Sequence, residues 1–149
     1  MPEPIRILIT DDHAVVRKGL VMVLRQEPDF EVVGEAENGK VGLERARDLQ
    51  PDVALVDLVM PVMDGQEMAL VLRKSNPNIK VMMLTGTEVD DRVYDLVAAG
   101  IEGYLLKNIE PGELVRAIRA VAQGEAYLHP DVMKRCSRNY NRNMPLFFH

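Results

Sequence analysis

The chain has 149 residues, 47% of them hydrophobic and 28% charged, with a formal net charge of -5 at pH 7. A chain of this size and balance folds as about one ordinary domain, burying roughly 70% of its unfolded surface, and is neither disordered nor fibrous in character. The acidic balance gives no general attraction to nucleic acid or an anionic membrane, the one cysteine, Cys136, allows no internal disulfide, and no run approaches the ~18 apolar residues of a membrane span.

In chain order, Ile5 to Thr10 is the first apolar run, of strand length and with little polar alternation, as expected of a strand buried on both faces. Val16, Leu20, Val23 and Leu24 then share one face at helical spacing, and Pro28 marks a stop. A second strand is expected from Glu31 to Ala36, followed by a weaker helix from about Gly39 to Leu49 that Pro51 limits. The third strand, Val53 to Asp57, leads to a helix carrying Met68, Val71 and Leu72 and closed by Asn76-Pro77. Ile79 to Leu84 is the fourth, and Val89, Val93, Leu96 and Val97 mark the helix after it, closed by Gly100. The fifth strand, Gly103 to Leu106, precedes the clearest amphipathic stripe, Leu114, Val115, Ile118, Val121 and Ala122, with Gly124 as its stop. Beyond it the alternation ends. Residues 125–149 read as a linker or tail with a short helix around Val132, Cys136 and Tyr140. The basic residues Lys134, Arg135, Arg138 and Arg142 lack the apolar periodicity of a DNA-binding module. The expected organisation is one domain over 1–124 and a tail over 125–149 with no DNA-binding domain.

Five strand-then-helix units imply a doubly wound α/β fold, a five-stranded parallel sheet with helices on both faces, because right-handed crossovers leave few other arrangements. The flavodoxin-like strand order 2-1-3-4-5 is expected, with functional groups at the carboxyl ends of the strands near the switch point between the first and third.

Five polar residues fall at those ends. Asp11 and Asp12 follow the first strand, Asp57 ends the third, Thr85 the fourth, and Lys107 follows the fifth. Singly each has an ordinary explanation: Asp12 as a helix cap, Asp57 as a turn residue, Thr85 as a strand-end hydroxyl, Lys107 as a solvated charge. Together on one sheet edge they define a crevice. Carboxylates crowded there repel by about 4 kcal/mol per pair at roughly 4 Å and an effective dielectric of about 20. A divalent cation relieves that repulsion, and an all-oxygen site completed by water and phosphate suits Mg²⁺. Asp57, at the end of the apolar Val53-Ala-Leu-Val56, is the candidate nucleophile towards phosphorus, with Lys107 and Thr85 neutralising the phosphoryl charge.

Asp11-Asp12-His13, Arg17-Lys18-Gly19-Leu20, Asp57-Leu-Val-Met-Pro61 with Met63-Asp64-Gly65, Leu84-Thr85 and Gly103-Tyr104-Leu105-Leu106-Lys107 together closely resemble the receiver domain of NarL/FixJ-type response regulators. The resemblance covers about residues 5–130. It implies that Asp57 is the phosphoacceptor, Asp12 a direct Mg²⁺ ligand, Asp11 a ligand largely through water, and the backbone carbonyl of Val59 a third protein ligand. Lys107 would pair with a phosphoryl oxygen, and Thr85 and Tyr104 would be switch residues. A sensor histidine kinase as donor and a phosphorylation-dependent homodimer follow from the same resemblance, as does a role in transcription regulation through a DNA-binding domain that full-length relatives carry; a cytoplasmic location is expected from the lone Cys136 and the absence of a long apolar run. The chain departs from the pattern in having Asn108, not proline, directly after Lys107, which puts a cis bond there in doubt.

Three other readings compete. An aspartate-nucleophile phosphatase would carry a second Asp two residues after the nucleophile, where this chain has Val59. A flavodoxin-like cofactor module conflicts with the acidic, glycine-free turn after the first strand. A pure interaction module conflicts with the presence of all five site residues. The expected product is a signalling state, not enzymatic turnover.

Overall fold

The computed structural model describes residues 3–86 and 91–134. Its elements are β1 (Ile5–Thr10), α1 (Ala14–Arg25), β2 (Phe30–Ala36), α2 (Gly39–Leu49), β3 (Val53–Asp57), α3 (Gly65–Ser75), β4 (Lys80–Thr85), α4 (Val93–Ala98), β5 (Gly103–Leu106), α5 (Pro111–Ala122) and β6 (Tyr127–Leu128). The sheet is parallel throughout, in the order β2-β1-β3-β4-β5-β6. The expected order of the first five strands holds, and the sheet continues by one short strand. Among the described residues every peptide bond is trans, including that between Lys107 and Asn108.

Alternate strand residues feed two cores, which is why the central strands show no polar alternation. Leu8, Ala54, Val56, Val81 and Met83 pack against Leu43 and Ala46 of α2, Met68 and Leu72 of α3, and Val93 and Leu96 of α4. Ile7, Ile9, Val53, Leu55, Met82 and Leu84 pack on the other face against Val21 and Leu24 of α1 and Leu114, Ile118 and Val121 of α5. Each fully buried aliphatic side chain contributes about 1.5–3 kcal/mol relative to exposure.

Local chemistry sets the helix ends. Asn38 caps α2 by accepting the Val41 N–H at 2.9 Å, and Asp64 caps α3 by accepting the Glu67 N–H at 2.9 Å. Pro111 opens α5, and Gly124, at φ 96°, ends it.

Some sequence expectations shift. The buried face of α1 is Val21 and Leu24; Val16 is exposed, because the first turn of α1 overhangs an open apolar groove that it lines with Leu106, Ile109 and Pro111. β2 begins one residue earlier than expected, at Phe30, and β4 starts one residue later, at Lys80, and runs to Thr85, which ends the strand as expected. Beyond residue 125, Tyr127 and Leu128 pair with Gly103 and Tyr104, and Val132 is fully buried against the α4 side of the core. Two apolar residues added to an exposed strand edge are worth burying, whatever the break in alternation suggests. Val89, Cys136, Tyr140 and the basic residues from Arg135 onward lie outside the described residues.

Candidate functional site

The parallel sheet brings the C-terminal ends of β1, β3, β4 and β5 to one edge. Asp11 follows β1 directly, its N–H donating to the Ala36 carbonyl at 3.0 Å, which fixes it against β2. Asp57 ends β3 opposite Leu84, and the next N–H, that of Leu58, donates to the Leu84 carbonyl at 3.0 Å. Lys107 leaves β5 with its N–H donating to the Thr85 carbonyl at 2.7 Å. These main-chain bonds aim three side chains at one point.

There the side chains meet. Lys107 Nζ lies 2.9 Å from Asp57 Oδ2 and 3.1 Å from Asp11 Oδ2. Both carboxylates are nearly sealed from solvent, whereas Asp12 is 29% exposed at the rim. Ligand atoms of Asp11, Asp12, His13 and Asp57 all fall within 4.8 Å of one another. Three carboxylates thus face one ammonium. A divalent cation would balance the remaining charge, and the crowded, part-buried oxygen set fits one.

Burial pushes the Asp57 carboxyl above the ordinary range; Lys107 pulls it back, Asp11 pushes it up again and the Val59 N–H pulls it down, with burial dominant. Burial acts on Lys107 in the opposite sense, lowering it, but the Asp57 hydrogen bond and the Asp57 and Asp11 charges outweigh this and hold it above an ordinary lysine. The ammonium is therefore firmly charged. The neighbouring nucleophile carries a desolvation cost.

The loop after β3 is shaped by close approach. A Cβ on Gly65 would lie 2.1 Å from the Asp57 carbonyl oxygen, and the Gly65 N–H donates to Leu58 at 2.9 Å. On the far side, the Gly39 N–H donates to the Met63 carbonyl at 3.0 Å, and a Cβ there would meet that oxygen at 2.4 Å. Two positions that tolerate only glycine clamp the loop that carries Val59, itself 63% exposed.

Of the residues singled out from sequence, Asp11, Asp12, Asp57 and Lys107 converge directly. Thr85 is buried at the adjoining strand end, and its alternation with Met83, the partner of Tyr104, puts it on the same sheet face as Tyr104. Tyr104 is wholly inside the core. Two residues that the sequence motifs contained, but to which no role was given, also belong here. Arg17 donates from Nη1 to the Asp11 carbonyl at 2.6 Å and from Nε to Glu35 at 3.3 Å, bracing the acidic turn. His13 Nδ1 lies 3.2 Å from Asp11 and 3.1 Å from Asp12. Their positions in the Asp-Asp-His and Arg-Lys-Gly-Leu runs were the available signal.

The family model described as response regulator receiver domain matches residues 7–119. The chain is 36% identical over 143 residues to the response regulator protein VraR of Staphylococcus aureus, an alignment spanning 96% of this chain and 68% of VraR. Among solved structures, the signal receiver domain of NarL from Mycobacterium tuberculosis superposes with a TM-score of 0.79 at 35% identity, covering 83% of this chain and 100% of that one. The isolated REC domain of RcsB from Salmonella enterica serovar Typhimurium, with the phosphomimetic BeF3-, superposes with a TM-score of 0.80 at 26% identity, covering 89% of this chain and 98% of that one.

Proposed function

The chain belongs to the response regulator receiver family, and from that premise we propose that Asp57 accepts a phosphoryl group from a sensor histidine kinase in a Mg²⁺-dependent reaction. The carrying observation is the shared ammonium: Lys107 bridges Asp57 and Asp11 at 2.9 and 3.1 Å, beside a third carboxylate. In the transfer, a carboxylate oxygen of Asp57 bonds to phosphorus as the bond to the donor breaks, the electron pair leaving with the donor nitrogen or oxygen. Asp57 must be ionised to attack, and the Lys107 charge opposes the burial that favours its protonated form. Lys107 can then follow the phosphoryl oxygens, and the Thr85 hydroxyl at the next strand end can donate to them.

The carboxylates of Asp11, Asp12 and Asp57 and the Val59 carbonyl would hold Mg²⁺, which when bound neutralises phosphoryl charge. Val59 offers no acid or base two residues from the acceptor, which supports a lasting signal in place of turnover. Thr85 and Tyr104, on one sheet face, are the residues through which the change would reach the surface of α4, β5 and α5. Residues to at least Val132 are read as part of the receiver, since β6 and Val132 pack onto it, and the remainder as a tail. Among the described residues no helix is long and apolar enough to cross a membrane; a cytoplasmic location is part of the same proposal.

Incubation with acetyl phosphate and Mg²⁺, followed by intact mass measurement, tests the reading. Wild type should gain one phosphoryl mass and Asp57→Ala none. Equal labelling of the two would remove Asp57 as the acceptor.

A further inference from the structure

We propose that the segment from Tyr127 to Val132 is a docking arm that follows the position of Tyr104, so that phosphorylation of Asp57 tightens its hold on the sheet edge. This rests on the reading that Asp57 is phosphorylated and that Thr85 and Tyr104 respond to it. It adds an output separate from the surface of α4, β5 and α5, directed to the chain beyond Lys134.

The arm hangs from an open hinge. α5 ends at Ala122, and Gln123, Gly124, Glu125 and Ala126 are all exposed, with Gly124 at φ 96°, a conformation that suits glycine. The chain then returns to the sheet. The Tyr127 N–H donates to the Glu102 carbonyl at 2.9 Å, Leu128 stands in register with Tyr104, and the His129 N–H donates to the Tyr104 carbonyl at 2.9 Å. The His129 carbonyl accepts the N–H groups of Val132 at 2.9 Å and Met133 at 3.0 Å, and its ring Nδ1 accepts that of Asp131 at 3.1 Å. One residue thus caps the turn that carries Val132 inward. Val132 is fully buried, whereas Pro130, Asp131, Met133 and Lys134 around it are exposed.

The hold of the arm converges on Tyr104. Val132 and Tyr104 belong to one buried cluster with Val93, Leu96 and Ile101, and Leu128 packs against it. The arm is therefore bonded to the main chain of Tyr104 and closes the compartment that holds its ring. With the ring inside, Val132 has its seat; a ring that left would disturb both that seat and the edge of β5. Thr85 lies on the same sheet face as Tyr104, so a phosphoryl oxygen that draws the Thr85 hydroxyl away leaves more room for the ring and favours the docked arm. Coupling of this kind is reciprocal, and the docked arm must favour the phosphorylated state to the same degree. A segment with little buried surface of its own opens well below global unfolding, which lets the arm respond by itself.

The test is hydrogen exchange read by mass spectrometry on the full chain, for wild type, Val132→Ala and His129→Ala, with and without beryllofluoride and Mg²⁺. With beryllofluoride, wild-type amides of residues 127–133 should exchange at least about fivefold more slowly. That change must exceed any in α2, which reports the general stabilisation that a bound ligand confers. Val132→Ala should loosen the arm and raise the half-saturating beryllofluoride concentration, read from the peptide spanning 58–64, by about fivefold. His129→Ala, which removes the ring acceptor and leaves the core whole, should shift both in the same direction by less. Arm exchange that changed no more than α2, or variants that loosened the arm at an unchanged half-saturating concentration, would overturn the coupling. Acetyl phosphate labelling of wild type, followed by intact mass, separates the two levels: labelling without an arm response removes the arm alone, and no labelling removes the phosphorylation reading and the arm's role with it.

Discussion

Lys107 Nζ stands 2.9 Å from Asp57 Oδ2 and 3.1 Å from Asp11 Oδ2, so that one ammonium from the end of β5 ties down carboxylates from the ends of β1 and β3. Removing the charge leaves two sealed carboxylates facing each other. Lys107→Met should lower stability at neutral pH by about 3 kcal/mol in the presence of a chelator, since breaking a buried pair strands its partner. Urea unfolding measures this. A variant as stable as wild type would show that the ammonium contributes nothing to holding the pocket together.

The raised pKa of Asp57 gives the metal-free protein a defined pH response. Because burial lifts the folded-state value above the ordinary 3.8, the folded chain holds this proton more tightly than the unfolded chain does. The associated stability is fully present below the unfolded value and is lost as pH rises through the folded value. At neutral pH ionised Asp57 therefore costs stability. Asp57→Asn should stabilise the chelator-treated protein there, on the order of 1 kcal/mol, with the gain shrinking as pH falls towards the ordinary carboxylate range. Thermal unfolding across pH checks it, and a gain that grew on acidification would contradict the assignment.

Gly65 lies against the main chain of Asp57 itself. With a Cβ placed 2.1 Å from the Asp57 carbonyl oxygen, Gly65→Ala must displace either β3 or the start of α3. The expected loss is about 3 kcal/mol or more, at the severe end for a small substitution, accompanied by slower labelling of Asp57. Gly86→Ala is the control, since a Cβ there meets nothing within 4 Å. Similar effects from the two substitutions would mean that the close approach is not what matters.

Phosphorylation should increase self-association through the surface of α4, β5 and α5. Reversing a 1:99 population takes about 5.5 kcal/mol, within reach of a few charge-assisted bonds at about 1.5–3 kcal/mol each. Asp95 and Arg116 remain exposed on that surface. Arg119 is instead engaged with Asp29 at 2.9 Å and Glu27 at 2.7 Å, fastening α5 to the loop before β2. Sedimentation with and without beryllofluoride should show more dimer with it, and Arg116→Glu should reduce the shift. The same distribution in both conditions would count against a dimerising switch.

Much of this protein is legible in one dimension. Short apolar runs of strand length without polar alternation read as strands covered on both faces, and helical stripes between them leave few arrangements other than parallel crossovers; the expectation of the first five strands and the carboxylate-bearing edge follows from that. Asp11, Asp12, Asp57 and Lys107 could be chosen because strand ends are where a parallel sheet gathers its side chains. Other features depend on distance in space and carry no periodic signal. The register that sets Lys107 between Asp57 and Asp11, the overhang that exposes Val16, and the addition of Tyr127 and Leu128 to the sheet edge were decided by packing. So were the braces supplied by Arg17 and the turn of His13 towards two carboxylates, because a long or rotatable polar side chain takes its partner from whatever the fold brings within about 3 Å, not from its neighbours in the chain.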